Sequence, residues 1–210
     1  MSSFEQLILD LSTYSGVPAI ILGLLFKIQK DKVLRYAFLY VLASFLGDFL
    51  VLISYQHTSY AYYLGYIWTI LHPISVGMFF IAAMGYKSKY AFLILLGFTI
   101  LMLALDSFGT NTSITANVTN ILCLGFALKY FHYLYQSEQE LFIEKNITFW
   151  IACTFFFVHA GKIFSTLLAG QIATTIESYD DWLLHNILNL LSNLFIGFAF
   201  LVEGKKKANT

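Results

Sequence analysis

Five ionisable side chains lie inside stretches of sequence that are otherwise strongly apolar. Ionisable groups in an apolar span cost about 2.5 to 3.5 kcal/mol each on insertion scales, so we expect them to face the interior of a helix bundle and to be paired. Histidine titrates near neutral pH and is also a common metal ligand. The residues that could do chemistry here are Asp48, His72, His159, Lys162 and His185.

The last apolar stretch carries a row of polar side chains on one face. At about 100° per residue, these side chains fall within an arc of about 120°, and leucine and isoleucine occupy the opposite face. The pattern predicts that the polar row faces protein and that Ile196, which continues the same face, closes it from below. We therefore expect a pocket open toward one end of the bundle. The row consists of His185, Asn186, Asn189, Ser192 and Asn193.

The composition places these residues in a membrane protein. Of the 210 residues, 59% are hydrophobic and only 11% are charged, far from the average of soluble domains. Runs of about 20 apolar residues indicate transmembrane helices. The sequence thus predicts an all-α polytopic fold, a single seven-helix domain over residues 1–210. The predicted spans are 9–26, 36–55, 63–84, 91–105, 116–135, 147–168 and 182–202.

The distribution of lysine and arginine predicts the orientation of these spans. Cytoplasmic loops carry an excess of basic residues. The predicted loops 56–62, 106–115 and 169–181 contain none, whereas the other loops and the C-terminal tail contain most of them. This asymmetry puts the N-terminus outside and the C-terminus in the cytoplasm.

Alternating the direction of the spans brings the five ionisable residues to similar depth, in the middle or outer half of the bundle. Asp48 and Lys162 are the strongest candidates for a compensating ion pair. Together with His72, His159, His185, Asn186 and Asn189, they form the predicted ligand-binding site.

The three histidines allow three interpretations. A zinc site could use His72, His159 and His185 with Asp48 or water, although none has a second histidine at helical i, i+4 spacing and Lys162 would repel a cation. A proton-sensitive or ligand-binding pocket is the second interpretation. Hydrogen bonds between helices are the third. No cofactor is predicted beyond the zinc alternative.

Two resemblances bear on family membership. The residues FW at 149–150 and WLLHNILNLLSNLFIGFAF at 182–200 resemble a family of small, uncharacterised bacterial seven-span membrane proteins, which implies a bacterial inner membrane and lends no activity. The segment ASFLGDFLVL, residues 43–52, resembles membrane lysoplasmalogenases, which would make Asp48 a catalytic candidate. That family usually has eight spans.

The sequence favours a membrane sensor or binding protein whose outer pocket takes a small ligand or a proton. The alternatives are a small-solute or proton-coupled transporter and a membrane hydrolase, either metal-dependent or lysoplasmalogenase-like. A non-enzymatic function is favoured over an enzymatic one. The expected partners are the lipid bilayer and, for signalling, a cytoplasmic or membrane protein. A net charge of zero and the lack of a basic stripe argue against nucleic acid.

Overall fold

The chain folds into a bundle of long α-helices. The structure, a computed structural model, describes residues 3–54, 58–86, 88–107, 112–137, 145–172 and 179–208. All regular structure in these ranges is helical, so the predicted all-α class is confirmed. The elements are α1 (Ser3–Tyr14), α2 (Gly16–Leu25), a 3-10 turn (Ile28–Lys30), α3 (Leu34–Ser54), α4 (Thr58–Ala83), α5 (Ser88–Ser107), α6 (Thr112–Gln136), α7 (Ile147–Ile172) and α8 (Tyr179–Ala208).

Three helical segments in the described part of the chain are long and apolar enough to cross a membrane. They are Gln6–Leu25, Ile147–Ser165 and Leu183–Ala208, and two shorter apolar segments lie in α4 and α5. Each predicted span overlaps one of the helices, or the pair α1 and α2 in the case of 9–26. The protein is thus a helical membrane protein by the length and composition of its helices.

A proline explains why the first apolar stretch is divided into α1 and α2. Pro18 lies in the first turn of α2. It has no N–H to donate to the carbonyl of Tyr14, and its ring would clash with that carbonyl in a continuous helix. At the break, the Ser15 hydroxyl donates a 2.6 Å hydrogen bond to the carbonyl of Ser12. The side chains of both serines are buried and available to neighbouring helices.

Helix α8 lies among α1, α2, α3 and α7 and packs closely on them. Gly23 of α2 faces the rings of Phe38 and Phe200, and Gly161 of α7 faces Leu188 of α8. Gly23, late in α2, meets the early part of α3 and the late part of α8, so α2 runs antiparallel to α3 and parallel to α8. Glycine permits the approach because a Cβ atom at either position would lie too close to the facing side chain.

Basic residues gather where the 3-10 turn, the start of α3 and the C-terminus of α8 meet, which we call the basic end. Lys207 lies 3.3 Å from Asp31 and 3.6 Å from Glu203 there. Between this end and the middle of the bundle is a fully buried layer, called the aromatic layer below. It comprises Tyr40, Phe79, Phe80, Phe155, Ile196 and Phe200.

Candidate functional site

The polar row of α8 turns toward the other helices over most of its length. Asn186, Asn189, Ser192 and Asn193 are buried, and Ile196 below them is fully buried, as the angular pattern predicts. His185 differs because its side chain is exposed. The row is therefore a buried polar face whose member farthest from the basic end, His185, is exposed.

Asn189 joins α8 to two other helices through its side-chain amide. Its Oδ1 accepts a 2.9 Å hydrogen bond from the Ser44 hydroxyl of α3. Its Nδ2 donates to Oδ2 of Asp48 at 2.8 Å and to the hydroxyl of Ser12 at 3.2 Å. Both the donor and the acceptor capacity of the amide are used, so α1, α3 and α8 are held in one register at this level.

One turn further along α8, a second asparagine contacts the break between α1 and α2. Asn193 Nδ2 donates a 2.8 Å hydrogen bond to the Ser15 hydroxyl, whose own proton goes to the Ser12 carbonyl. Asn193 Oδ1 is buried and accepts no hydrogen bond from any residue that the structure describes. An unsatisfied buried acceptor in a native bundle is commonly bonded to water or a ligand. The break in the first span thus supplies part of the polar cluster.

Two histidines from different helices meet edge to face in the centre of the bundle. The ring centroids of His72 in α4 and His159 in α7 are 5.0 Å apart, and His72 lies equally close to the ring of Tyr40 in α3. His159 Nδ1 is 2.9 Å from Oδ1 of Asn120 in α6. This geometry assigns the ring proton to Nδ1, because the amide oxygen can only accept. The buried Nε2 of His159 is then an acceptor, and none of the described residues donates to it.

Lys162 lies one turn from His159 on the same face of α7 and is 8% exposed. Its charge acts on both central histidines, on His185 and on Asp48. A buried lysine near two buried histidines and a partly buried aspartate makes this a strongly polar region inside the bundle. It is a suitable environment for a proton or a small polar solute.

The direct ion pair expected between Asp48 and Lys162 is not formed. The ion pairs within 4.0 Å among the described residues all involve Lys207 at the basic end. Asp48 instead accepts the amide of Asn189, and its charge interacts with that of Lys162 over a longer distance.

The geometry does not support zinc at the three predicted histidines. His72 and His159 are neighbours, but among the described residues no three histidine, cysteine or carboxylate side chains converge at distances that could hold a metal ion. The His185 side chain is exposed, whereas those of His72 and His159 are buried. The pair faces Asn120 and Tyr40 instead of a third ligand.

The cluster includes residues that the sequence did not single out as a site. Ser12 and Ser15 lie in a stretch that the sequence identifies only as a weakly apolar span. Their three-residue spacing nevertheless puts them on one helical face. Tyr40, Ser44 and Asp48 share a face of α3 by their four-residue spacing, and this signal could have added Tyr40. Asn120 is recognisable in the sequence as a polar residue of the fifth predicted span, but its pairing with His159 depends on which helix faces it.

Comparison with protein-family models, with curated proteins and with solved structures gives no significant match. The interpretation of the site therefore depends on its own geometry.

Proposed function

We propose that this chain is an integral membrane protein of seven spans whose buried polar cluster takes a small ligand or a proton, and that it acts as a sensor or binding protein. The proposal places the N-terminus outside, the basic end in the cytoplasm and the protein in a bacterial inner membrane. The basic residues at one end of the bundle support this orientation.

The observation that carries the proposal is the amide of Asn189, which connects α1, α3 and α8 at the level of Asp48. A proton or solute that engages the Asp48 carboxylate must compete with this amide. Its binding energy would therefore shift α8 relative to α1 and α3. Because α8 continues to Ala208, the shift reaches the basic end, where a partner protein could respond.

The aromatic layer favours a sensor over a carrier. Ile196 and Phe155 are fully buried directly below the cluster, and a through-path would need polar groups toward both ends. A site that is accessible at His185 and closed below is the arrangement expected of a receptor-like pocket.

Accessibility of single cysteines tests this arrangement. The native Cys123 and Cys153 are first replaced by alanine, and His185→Cys or Ile196→Cys is then introduced. A membrane-impermeant thiol reagent is applied to intact spheroplasts and to inside-out vesicles. We expect the His185→Cys variant to react only in spheroplasts and the Ile196→Cys variant to react in neither.

The other outcomes are equally informative. An unreactive His185→Cys variant overturns the outer pocket, and labelling only in inside-out vesicles reverses the orientation. Labelling of the Ile196→Cys variant from the cytoplasmic side, under any ionic condition or pH, favours alternating access and therefore a transporter.

A proton is the one ligand that can be tested before any solute is known. Amide hydrogen exchange of α8 is measured in lipid nanodiscs at about pH 5.5 and about pH 7.5. In the wild type, we expect the protection of α8 amides from exchange to differ between the two pH values. In Asp48→Asn, we expect a smaller difference. An identical change in both proteins removes Asp48 from the proton-sensing role.

A further inference from the structure

A large apolar groove runs along the outside of the bundle between α3, α4 and α5. Its volume is about 700 Å³, within the usual range of ligand pockets. Several of its walls are exposed leucines, so the groove opens outward and not into the polar cluster. Its walls include Tyr36, Leu39, Ala43, Leu46, Leu71 and Leu93.

The groove has the length and position of one membrane leaflet. Along α3 it extends from Tyr36, next to the basic end, to Leu46. Ten residues of α-helix rise about 15 Å, which is half of a hydrocarbon core of about 30 Å. An acyl chain of the leaflet at the basic end can therefore lie in it from the interface to the bilayer midplane.

The positively charged side chain of Arg35 lies at the basic end of this groove. The Arg35 guanidinium donates a 2.9 Å hydrogen bond to the hydroxyl of Tyr36, and its Cζ lies 4.7 Å from the centre of that ring. The side chain is exposed, and no described carboxylate forms an ion pair with it. Arginine has further N–H donors in a planar fork that suits the oxygens of a phosphate.

From this juxtaposition we propose that the groove is a binding site for one anionic phospholipid, with an acyl chain between α3, α4 and α5 and the phosphodiester on Arg35. Stacking on Tyr36 holds the guanidinium at the groove and limits its freedom to turn away. The lipid is the occupant that fits both features, because the apolar walls match a chain and the charge matches the headgroup at interfacial depth.

Native mass spectrometry of the full chain tests the site. The protein is purified in mild detergent and mixed with phosphatidylglycerol or with phosphatidylcholine of the same chains. We expect one phosphatidylglycerol to be retained per chain, with about tenfold preference over phosphatidylcholine, because the choline ammonium neutralises the phosphodiester charge and is itself repelled by Arg35. Arg35→Gln should remove this preference, and Ala43→Phe, which fills the groove, should reduce retention of both lipids.

Two matched variants serve as controls. Lys32→Gln removes a neighbouring exposed cation that does not contact Tyr36, and Cys153→Leu fills a separate apolar groove between α6 and α7. Both should retain the wild-type preference. Equal retention of the two lipids by the wild type overturns the site. Equal loss of the lipid preference in Lys32→Gln and Arg35→Gln would mean that a diffuse basic surface attracts the headgroup. Unchanged lipid retention in Ala43→Phe would rule out the groove as the binding site. Thermal unfolding confirms that each variant is folded.

Discussion

At the scale of single residues, the polar cluster depends on one neutral amide more than on an ion pair. The Asn189 side chain forms hydrogen bonds with Ser44, Ser12 and the Asp48 carboxylate at the same time. A carboxylate left without its donor loses a charge-assisted hydrogen bond, which is worth more than a neutral one. We therefore expect the stability of the cluster to depend on the Asn189 amide.

Asn189→Ala should destabilise the protein by about 1.5 to 3 kcal/mol, because it removes a hydrogen bond to a charged group. The measurement is thermal or denaturant unfolding in detergent. Thr99→Val is the matched control, since the buried Thr99 hydroxyl donates to the Leu95 carbonyl within its own helix. Equal effects of the two substitutions would contradict the special role of the amide.

The longer-range interaction of Asp48 with Lys162 predicts coupling between substitutions. Lys162→Met leaves the Asp48 charge with less compensation in the interior and should lower the unfolding temperature. Adding Asp48→Asn should restore part of the loss, because the double variant buries no net charge from this pair. Strictly additive effects in this double-mutant cycle would show that the two groups are not coupled.

At the scale of elements, the polar cluster is positioned by close helix packing. Small residues let transmembrane helices approach, since apolar burial alone does not distinguish a helix neighbour from lipid. Gly23 allows α2 to approach both α3 and α8, because it lies against Phe38 and Phe200. At the break, the hydrogen bond from Asn193 to Ser15 joins the first span to α8.

Gly23→Ala should lower the unfolding temperature, because the new Cβ would lie against the Phe38 ring and force it to move. Gly125→Ala is the control: nothing lies within 4 Å of its Cβ position, and alanine is the better helix former by about 1 kcal/mol. Differential scanning fluorimetry in one detergent compares them. A Gly23→Ala protein as stable as the Gly125→Ala protein would mean that the packing is looser than described.

At the scale of the whole molecule, the bundle is layered from the exposed His185, through the polar cluster and the aromatic layer, to the basic end. The basic end also joins the first and last parts of the chain. Asp31 caps the start of α3 by accepting from the backbone of Val33 and Leu34, and it pairs with Lys207 near the end of α8.

This junction predicts a dependence of stability on pH. Partial burial tends to raise the pKa of Asp31, but the backbone hydrogen bonds from Leu34 and Val33 and the nearby Lys207 outweigh it, so the pKa is lowered from 3.8. A lowered pKa gives stability that is complete above the unfolded-state pKa and is lost as the pH falls through the folded-state value.

We therefore expect the unfolding temperature to decrease on acidification below about pH 4, with a smaller decrease in Asp31→Asn. Asparagine also caps helices, so this variant keeps the cap and removes the charge. Lys207→Gln should also reduce the decrease in unfolding temperature on acidification, but by less than Asp31→Asn does. Parallel pH profiles of all three proteins would contradict a role for the Asp31 charge.

The sequence by itself determined the all-α class, the approximate extent of each helix and the inward face of α8. These features follow from local rules, namely the 3.6-residue period and the apolar length of each segment. The break at Ser15 was not predicted, although Pro18 was its physical cause.

Only the tertiary structure decided which polar side chains meet. The helices fixed the depth of Asp48, but rotation and contact between helices decided that it bonds to Asn189 rather than to Lys162. The same holds for His159, whose partner Asn120 lies on another helix, and for His185, whose side chain is exposed while those of His72 and His159 are buried. Spacing along one helix is encoded locally, whereas partners on different helices depend on the packing of the entire bundle.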